Sequence, residues 1–308
     1  MTAQHLLAAL FNAGIAISVG ATVLSLGMTF TVGQLVAPLH RAGLVIALVV
    51  LNSVVIPAAA WGIAEVSPMG TKYVPGLVLA TVGAGSAASL KAAQLAKRVD
   101  LPLAVTVVVV LQLVNIVAVP LWAGQIVTGA SISAWDIVKS LLLLVLVPLV
   151  VGLFARARYA DHAKAWQPEL VKVANLALVV ALATGIAANW STIVSMFGSW
   201  VIVTAIVIVI VSGVLGLLPG LLLGGRSAEV RTTTGLVSVF RFASLGLIII
   251  GAQLHADPVY LGPALTFALV DFVLPLALAV ELGHRAGGRN QRPSSPAAAG
   301  SASSPPSR

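Results

Sequence analysis

The sequence contains no cysteine and very little charge. Its 308 residues include 9 acidic and 17 basic side chains, which together make up 8% of the chain, and aromatic residues account for 6%. The absence of cysteine excludes disulfides, thiolate metal sites and cysteine nucleophiles. An ordinary soluble domain carries about 25% charged residues, so that class is excluded too. We see no metal-ligand spacing, phosphate loop or hydrolytic triad, and therefore expect neither an enzyme nor a bound cofactor.

The chain is instead rich in long apolar runs, and 59% of its residues are hydrophobic. A helix needs about 20 residues to cross the ~30 Å hydrocarbon layer of a bilayer. The scarcity of aromatic residues and of alternating ten-residue segments argues against an outer-membrane barrel. The sequence therefore predicts an all-α membrane protein with about nine transmembrane helices in the lipid bilayer. We place them at 5–31, 43–64, 73–97, 101–124, 134–156, 168–189, 192–223, 228–254 and 259–283.

The basic residues lie mainly on one predicted face of the membrane. When the chain alternates sides along nine spans, the opposite face receives only Lys72 and Lys139, and Lys91 and Arg241 fall inside spans. This asymmetry indicates a membrane protein and not a nucleic-acid-binding protein. The positive-inside rule then places the N-terminus outside and the C-terminus in the cytoplasm, in an inner or plasma membrane. The cytoplasmic set is Arg41, Lys97, Arg98, Arg156, Arg158, Lys164, Lys172, Arg226, Arg231, Arg285, Arg289, Arg292 and Arg308.

The spans are expected to form one transmembrane domain over residues 1–285, followed by a disordered cytoplasmic tail at 286–308 that is rich in Ser, Pro, Ala, Gly and Arg. The longest polar connection, 156–172, lies near the middle of the chain. If the domain consists of two related halves, each half has an interrupted span, at 73–97 and 228–254. These two spans run in opposite directions, as an inverted repeat requires.

The two interrupted spans also carry the two intramembrane cations, Lys91 and Arg241. A charge at membrane depth costs from ~3 to more than ~10 kcal/mol, so it needs a partner, a cavity or a ligand. For Arg241 two interpretations stay open: a structural ion pair with Asp271, or bidentate binding of a substrate anion. A pair that opens as substrate enters is compatible with both. Lys91 either faces the cavity or extends to the membrane surface about 9 Å away.

Polar side chains near these cations are further candidates for the site. Taken singly, each is an interhelical hydrogen bond as readily as a ligand, whereas together they would line one polar cavity. This set comprises Asn52, Ser86, Ser89, Gln112, Asn115, Thr234 and Ser238.

Four segments of the chain resemble the bile acid:sodium symporter family, in order and in spacing. Residues 26–30 read Leu-Gly-Met-Thr-Phe and residues 56–61 read Ile-Pro-Ala-Ala-Ala-Trp. Residues 83–89 read Gly-Ala-Gly-Ser-Ala-Ala-Ser, with Ala-Lys following at 96–97, and residues 256–259 read Ala-Asp-Pro-Val. The resemblance covers about residues 12–283. It implies two inverted repeats, a panel and a core domain, two crossing broken helices, and carriage of organic anions such as bile acids, pyruvate or pantoate.

The chain departs from this family at the positions that hold sodium. Sodium-coupled members have Ser-Asn in the first crossover, where this chain has Ser89-Leu90 followed by Lys91. They have Glu-Val-Gly-Met-Gln-Asn in the second, where the glutamate is replaced by an uncharged residue and Arg241 falls near the Gln-Asn pair. Fixed cations repel a hard cation that needs oxygen donors. These departures argue against sodium coupling.

The sequence thus predicts a secondary carrier of a small organic anion that works by alternating access. Arg241 would bind the substrate, and Lys91 would bind it or take the place of a coupling cation. One alternative is a conventional sodium:organic anion symporter. Another, from a different class, is a membrane receptor or sensor that uses a carrier fold without transport.

Overall fold

The computed structural model describes residues 3–31, 33–34, 41–96, 99–127, 133–196, 199–225 and 227–290. Most of the predicted tail lies outside these residues, as do the predicted cytoplasmic cations Lys97, Arg98 and Arg226. The last helix continues to Asn290, which is beyond the predicted start of the tail.

The described chain is built from helices. The first half contains α1 (Ala3–Thr29), α2 (Ala42–Val50), a π-helical turn (Leu51–Val55), α3 (Ile56–Val66), a 3-10 turn (Thr71–Tyr73), α4 (Val74–Val82), α5 (Ala87–Ala96) and α6 (Leu101–Ile126). The second half contains α7 (Ala134–Leu141), a π-helical turn (Leu142–Leu146), α8 (Val147–Arg158), α9 (Ala160–Ala188), α10 (Trp190–Met196), α11 (Trp200–Leu222), α12 (Ala228–Val239), α13 (Ala243–Gln253) and α14 (Pro258–Asn290).

Within the described residues, eight helical segments are long and apolar enough to span a membrane. A ninth span is formed if α4 and α5, which meet at a bend of 66°, are counted as one. The prediction of an all-α membrane protein with about nine spans is therefore confirmed.

The helices divide into two packed groups. The first, which we call the panel, consists of α1, the α7–α8 span and α9, with α1 packed along both neighbours. Glycines allow this close approach: a Cβ at Gly27 would lie 2.6 Å from the carbonyl oxygen of Leu149, and one at Gly152 would lie 2.4 Å from that of Leu24. Small residues at such positions are how membrane helices gain van der Waals contact in lipid, where no hydrophobic force drives helices together.

The second group, which we call the core, consists of α2–α6 and α11–α14. The segment Ala228–Gln253 lies at its centre. Of the 18-residue apolar stretch in this segment, 89% is buried inside the protein, against 17% for the panel segment Ala160–Ala188. The panel touches the core mainly where α7 meets α6 and where α1 meets α13.

Three core helices begin at the same end of the core. The side chain of Asp100 caps α6 by accepting the N–H of Leu103 at 3.1 Å, and it pairs with Arg41 at 3.0 Å. Its backbone N–H donates to Thr233 Oγ1 at 2.8 Å. The starts of α2, α6 and α12 therefore meet.

Two predicted boundaries are wrong. The span predicted at 168–189 begins at Ala160, and only Tyr159 separates it from α8, so the region 156–172 is helical and is not a long polar loop. Charged side chains in this region pair along the helix, as Glu169 does with Lys172 at 2.7 Å. The span predicted at 192–223 begins at Trp200, and the separate helix α10 precedes it.

Candidate functional site

The first break in the core lies at residues 83–86, between α4 and α5. Gly85 has a φ of +74°, and a Cβ there would lie 2.8 Å from α6, so only glycine fits. Two amide side chains of α6 bind the backbone that the break leaves without helical partners. Asn115 accepts the N–H of Ala84 at 3.1 Å and donates to its carbonyl at 2.8 Å, and Gln112 donates to the carbonyl of Gly85 at 2.8 Å.

Ser86 and Ser89 are buried at the start of α5 and serve its first turn. The hydroxyl of Ser86 accepts the N–H of Ala88 at 3.3 Å. Ser89 donates its backbone N–H at 3.1 Å and its hydroxyl at 2.7 Å to the carbonyl of Ser86. These bonds satisfy donors that a helix N-terminus leaves free, so both serines have local partners in this conformation.

The second break, at residues 240–242 between α12 and α13, crosses the first. The N–H of Phe242 donates to the carbonyl of Gly83 at 2.9 Å, which joins the two breaks directly. A Cβ at Gly83 would lie 2.4 Å from the carbonyl oxygen of Phe242. Asp271 is a buried residue of α14. Both of its carboxylate oxygens accept the backbone N–H of Arg241, at 3.1 and 3.2 Å.

Each break is therefore held by a side chain of the span that follows it. Asn115 lies 31 residues after Ala84, and Asp271 lies 30 residues after Arg241. The two spacings are similar and differ by one residue.

Arg241 is only 2% exposed, and oxygen atoms surround its guanidinium. Its Nε donates to the carbonyl of Thr81 at 2.7 Å, and Nη2 donates to the carbonyls of Val82 at 3.3 Å and Asn52 at 2.8 Å. Nη1 donates to Oδ1 of Asn52 at 3.0 Å. We call these four acceptors, which are the carbonyl oxygens of Thr81, Val82 and Asn52 and the Asn52 side-chain oxygen, the oxygen cage.

Two elements of secondary structure make these oxygens available. Thr81 and Val82 end α4, where the last carbonyls have no helical N–H partner and the helix dipole is negative. Asn52 lies in the π-helical turn, where Ile56 donates to the carbonyl of Leu51. The next donor in this pattern would be Pro57, which has no N–H, so the carbonyl of Asn52 is left free for Arg241.

The amide of Asn52 is oriented by two further bonds. Its Nδ2 donates to the carbonyl of Leu48 at 2.9 Å and to the hydroxyl of Ser238 at 3.0 Å. These donations turn the Oδ1 atom towards Arg241. Asn52 thus links the α2–α3 span to Ser238 of α12 and to Arg241 in the second break.

The direct ion pair considered for Arg241 and Asp271 is not what the structure contains. The carboxylate binds the backbone N–H of Arg241, whereas the guanidinium points to the oxygen cage. The reason lies in the second break, because the chain turns there and sends the backbone N–H to α14 and the side chain to α4. The opposite charges still lie in one buried region, which lowers the cost of each.

The remaining predicted site residues divide between this network and other roles. Ser238 belongs to it through Asn52. Thr234 is buried but donates to the carbonyl of Arg231 at 3.0 Å and packs against Gly220 of α11. Among the described residues, no group of three His, Cys, Asp or Glu side chains could hold a metal ion.

Lys91 also lies apart from the oxygen cage. It is exposed on α5 together with Gln94 and Leu95, whereas Ser89 and Leu90 are buried. This helix also touches α1 of the panel. The exposed face of α5 is therefore available to a water-filled space between the core and the panel, or to the membrane surface.

Cysteine labelling separates these two positions of Lys91, because the natural chain has no cysteine. We expect Lys91→Cys in liposomes to react with a water-soluble thiol reagent at least about tenfold faster than Val214→Cys, since the thiolate forms only in water. Val214 is a suitable control because it is exposed on the apolar helix α11. Equal rates would show that residue 91 faces lipid and that the lysine extends to the surface.

The roles of four residues in this network were not predicted from the sequence. The carbonyls of Thr81 and Val82 complete the cage, and Pro57 frees the carbonyl of Asn52. Trp122 donates to the carbonyl of Ser53 at 2.7 Å, which Pro57 also frees. A proline four or five residues after a buried polar residue was the available signal, because it predicts unpaired carbonyls at those positions.

The fold and site define a polytopic membrane protein in which two broken helices cross and buried polar groups hold the crossing. Discontinuous helices that meet near mid-membrane are characteristic of secondary transporters. A family model described as the Sodium Bile acid symporter family matches residues 16–218, and the chain belongs to this family. Members of this family are transporters and not enzymes, so the chain is a membrane transporter.

The matched range includes the first break but ends before α12. Arg241 and Asp271 therefore lie outside it. A comparison with curated proteins finds no significant match.

Proposed function

We propose that this protein is a secondary carrier of a small organic anion, that it works by alternating access, and that it does not require sodium. The observation that carries the proposal is the oxygen cage around Arg241. In transporters with broken helices, the C-terminal ends of half-helices and unwound carbonyls hold the coupling cation. Here a guanidinium covalently attached to the protein fills that kind of position.

The charge of the core favours an anionic substrate. Arg241 and Lys91 are positive and Asp271 is negative, so these three residues together leave one excess positive charge. The N-terminal ends of α5 and α13 lie next to the crossing, and helix N-termini favour negative groups. A carboxylate or sulfonate is the chemical class that this arrangement suits.

We assign Arg241 a different role from the one that the sequence suggested. Its guanidinium already donates to four protein oxygens. We therefore assign it to the fixed cation, and we assign the direct contacts with substrate to the half-helix N-termini and to Lys91. Alternating access would then be a movement of the core against the panel, with Arg241 and its cage carried inside the core.

A sodium-coupled mechanism is the second candidate, and two buried oxygens favour it. Oε1 of Gln112 and the hydroxyl of Ser53 are buried and have no hydrogen-bond partner in the described part of the chain. Oxygen atoms of this kind are ligands for a hard cation.

The first test of the proposal is a search for the substrate followed by a measurement of flux. We expect thermal unfolding of the purified protein to shift upward with one or more small carboxylates or sulfonates. The same compound should then show counterflow in proteoliposomes, where labelled substrate accumulates against unlabelled substrate inside. Binding without counterflow would contradict a carrier and would favour the receptor alternative.

A further inference from the structure

The four oxygens of the cage would be present and directed inward without Arg241. Two of them end α4, and the third is freed by Pro57, whichever residue stands at position 241. The fourth, on the Asn52 side chain, is oriented by bonds from Nδ2 to Leu48 and Ser238. The cage is therefore a preformed group of acceptors and is not assembled by the arginine.

Its acceptors also match the shape of the group that occupies them. They lie 2.7 to 3.3 Å from three nitrogens of one planar guanidinium. The buried carboxylate of Asp271, which binds the backbone of residue 241, adds negative charge on the side of α14. Oxygens that are buried, directed inward and next to a carboxylate attract a cation in a medium of low dielectric constant.

We infer that the oxygen cage is a binding site for a monovalent cation, which the Arg241 side chain fills permanently in this protein. Truncation of that side chain opens the site to a free cation, and a small planar guanidinium fits it best. This inference deepens the proposed function, on which it rests for its consequences in transport. The cation binding itself is independent of what the protein carries.

The test is the rescue of Arg241→Ala by methylguanidinium, measured as thermal unfolding of the full chain in detergent. We expect millimolar methylguanidinium to raise the midpoint by about 3 °C or more, as binding to the folded state does. Urea at the same concentration is the matched control, because it is planar and of similar size but neutral. The wild-type protein, whose cage is filled, should respond to neither compound.

Two further variants make the outcome specific to the cage. Asn52→Ala in the Arg241→Ala background removes one acceptor and should abolish the rescue. Lys91→Ala removes the other intramembrane cation and should show no response to methylguanidinium. Equal shifts with urea, or no shift with any cation, would overturn the inference. A sodium-specific shift in Arg241→Ala, measured against choline, would support it, since sodium would then occupy the emptied cage.

If Arg241→Ala does not yield folded protein, Arg241→Gln is the substitute, because its amide keeps one donor near Thr81 and removes the charge. Sodium or methylguanidinium should stabilise this variant over choline, and the absence of any such difference would overturn the inference. Transport by the wild-type protein is measured separately. A failure to bind cations in the variants and a failure to transport in the wild type are therefore distinct results.

Discussion

Arg241→Ala is expected to lower the free energy of unfolding by about 3–5 kcal/mol, which is typical when one partner of a buried charge pair is removed. The substitution leaves four buried oxygens without donors and the carboxylate of Asp271 without a neighbouring positive charge. Thermal or chemical unfolding in detergent measures the effect. Lys91→Ala is the matched control, and as an exposed substitution it should stay within about 0.5 kcal/mol of the wild type.

Asp271→Asn separates the contribution of charge from that of hydrogen bonding. Asparagine keeps an oxygen that can accept the N–H of Arg241, but it removes the negative charge. Combined with Arg241→Ala, it should cost less than the sum of the two single changes, because the buried carboxylate no longer lacks a counter-charge. Additive losses would contradict an electrostatic link between the two residues.

Gly83→Ala is expected to prevent the two breaks from crossing as they do. The added Cβ would lie 2.4 Å from the carbonyl oxygen of Phe242, and backbone on both sides leaves little room for adjustment. Overpacking of this kind costs about 1–3 kcal/mol. It would also displace the bond from Phe242 to Gly83, so we expect the rate of counterflow to fall by at least about tenfold.

The matched control for this change is Gly62→Ala on α3, where an added Cβ would meet no atom within 4 Å. Alanine is favoured over glycine in a helix interior by about 0.5–1 kcal/mol, so this variant should be at least as stable as the wild type. Counterflow in Gly83→Ala at the rate of the Gly62→Ala control would show that the close crossing is not needed for transport.

Much of the fold and the location of the site could be predicted from the sequence. Long apolar runs predict the spans because lipid requires every backbone group to be paired inside a helix. Small residues before Lys91 and Arg241 predict the breaks, since an intramembrane charge needs a special environment. The choice of Asn52, Arg241 and Asp271 as site residues followed from their polarity inside apolar spans, and all three lie in one connected network.

The partners within that network could not be predicted in the same way. Which atom of Arg241 meets Asp271 depends on the backbone angles of residues 240–242, and helical periodicity carries no information about a break. The cage consists largely of backbone carbonyls, and every residue has one, so residue types do not reveal it. Only Pro57 marks it in the sequence, by removing the donor that would otherwise occupy the carbonyl of Asn52.

Hydropathy also did not predict where the helices end. Apolar content predicts where a helix leaves the hydrocarbon but not where it ends, as the continuation of α9 back to Ala160 illustrates. The segment 160–167 continues the helix although it carries Asp161, His162 and Lys164.

If the Arg241 guanidinium takes the place of a coupling cation, the protein should transport its substrate without sodium. Transport in the absence of sodium is therefore the most direct test. The rate of uptake of the identified anion is measured in proteoliposomes with sodium replaced by choline at constant ionic strength. We expect the same rate in both media, whereas coupling to a second ligand changes affinity by about 5–150-fold. A strict requirement for sodium in the wild-type protein would contradict the claim.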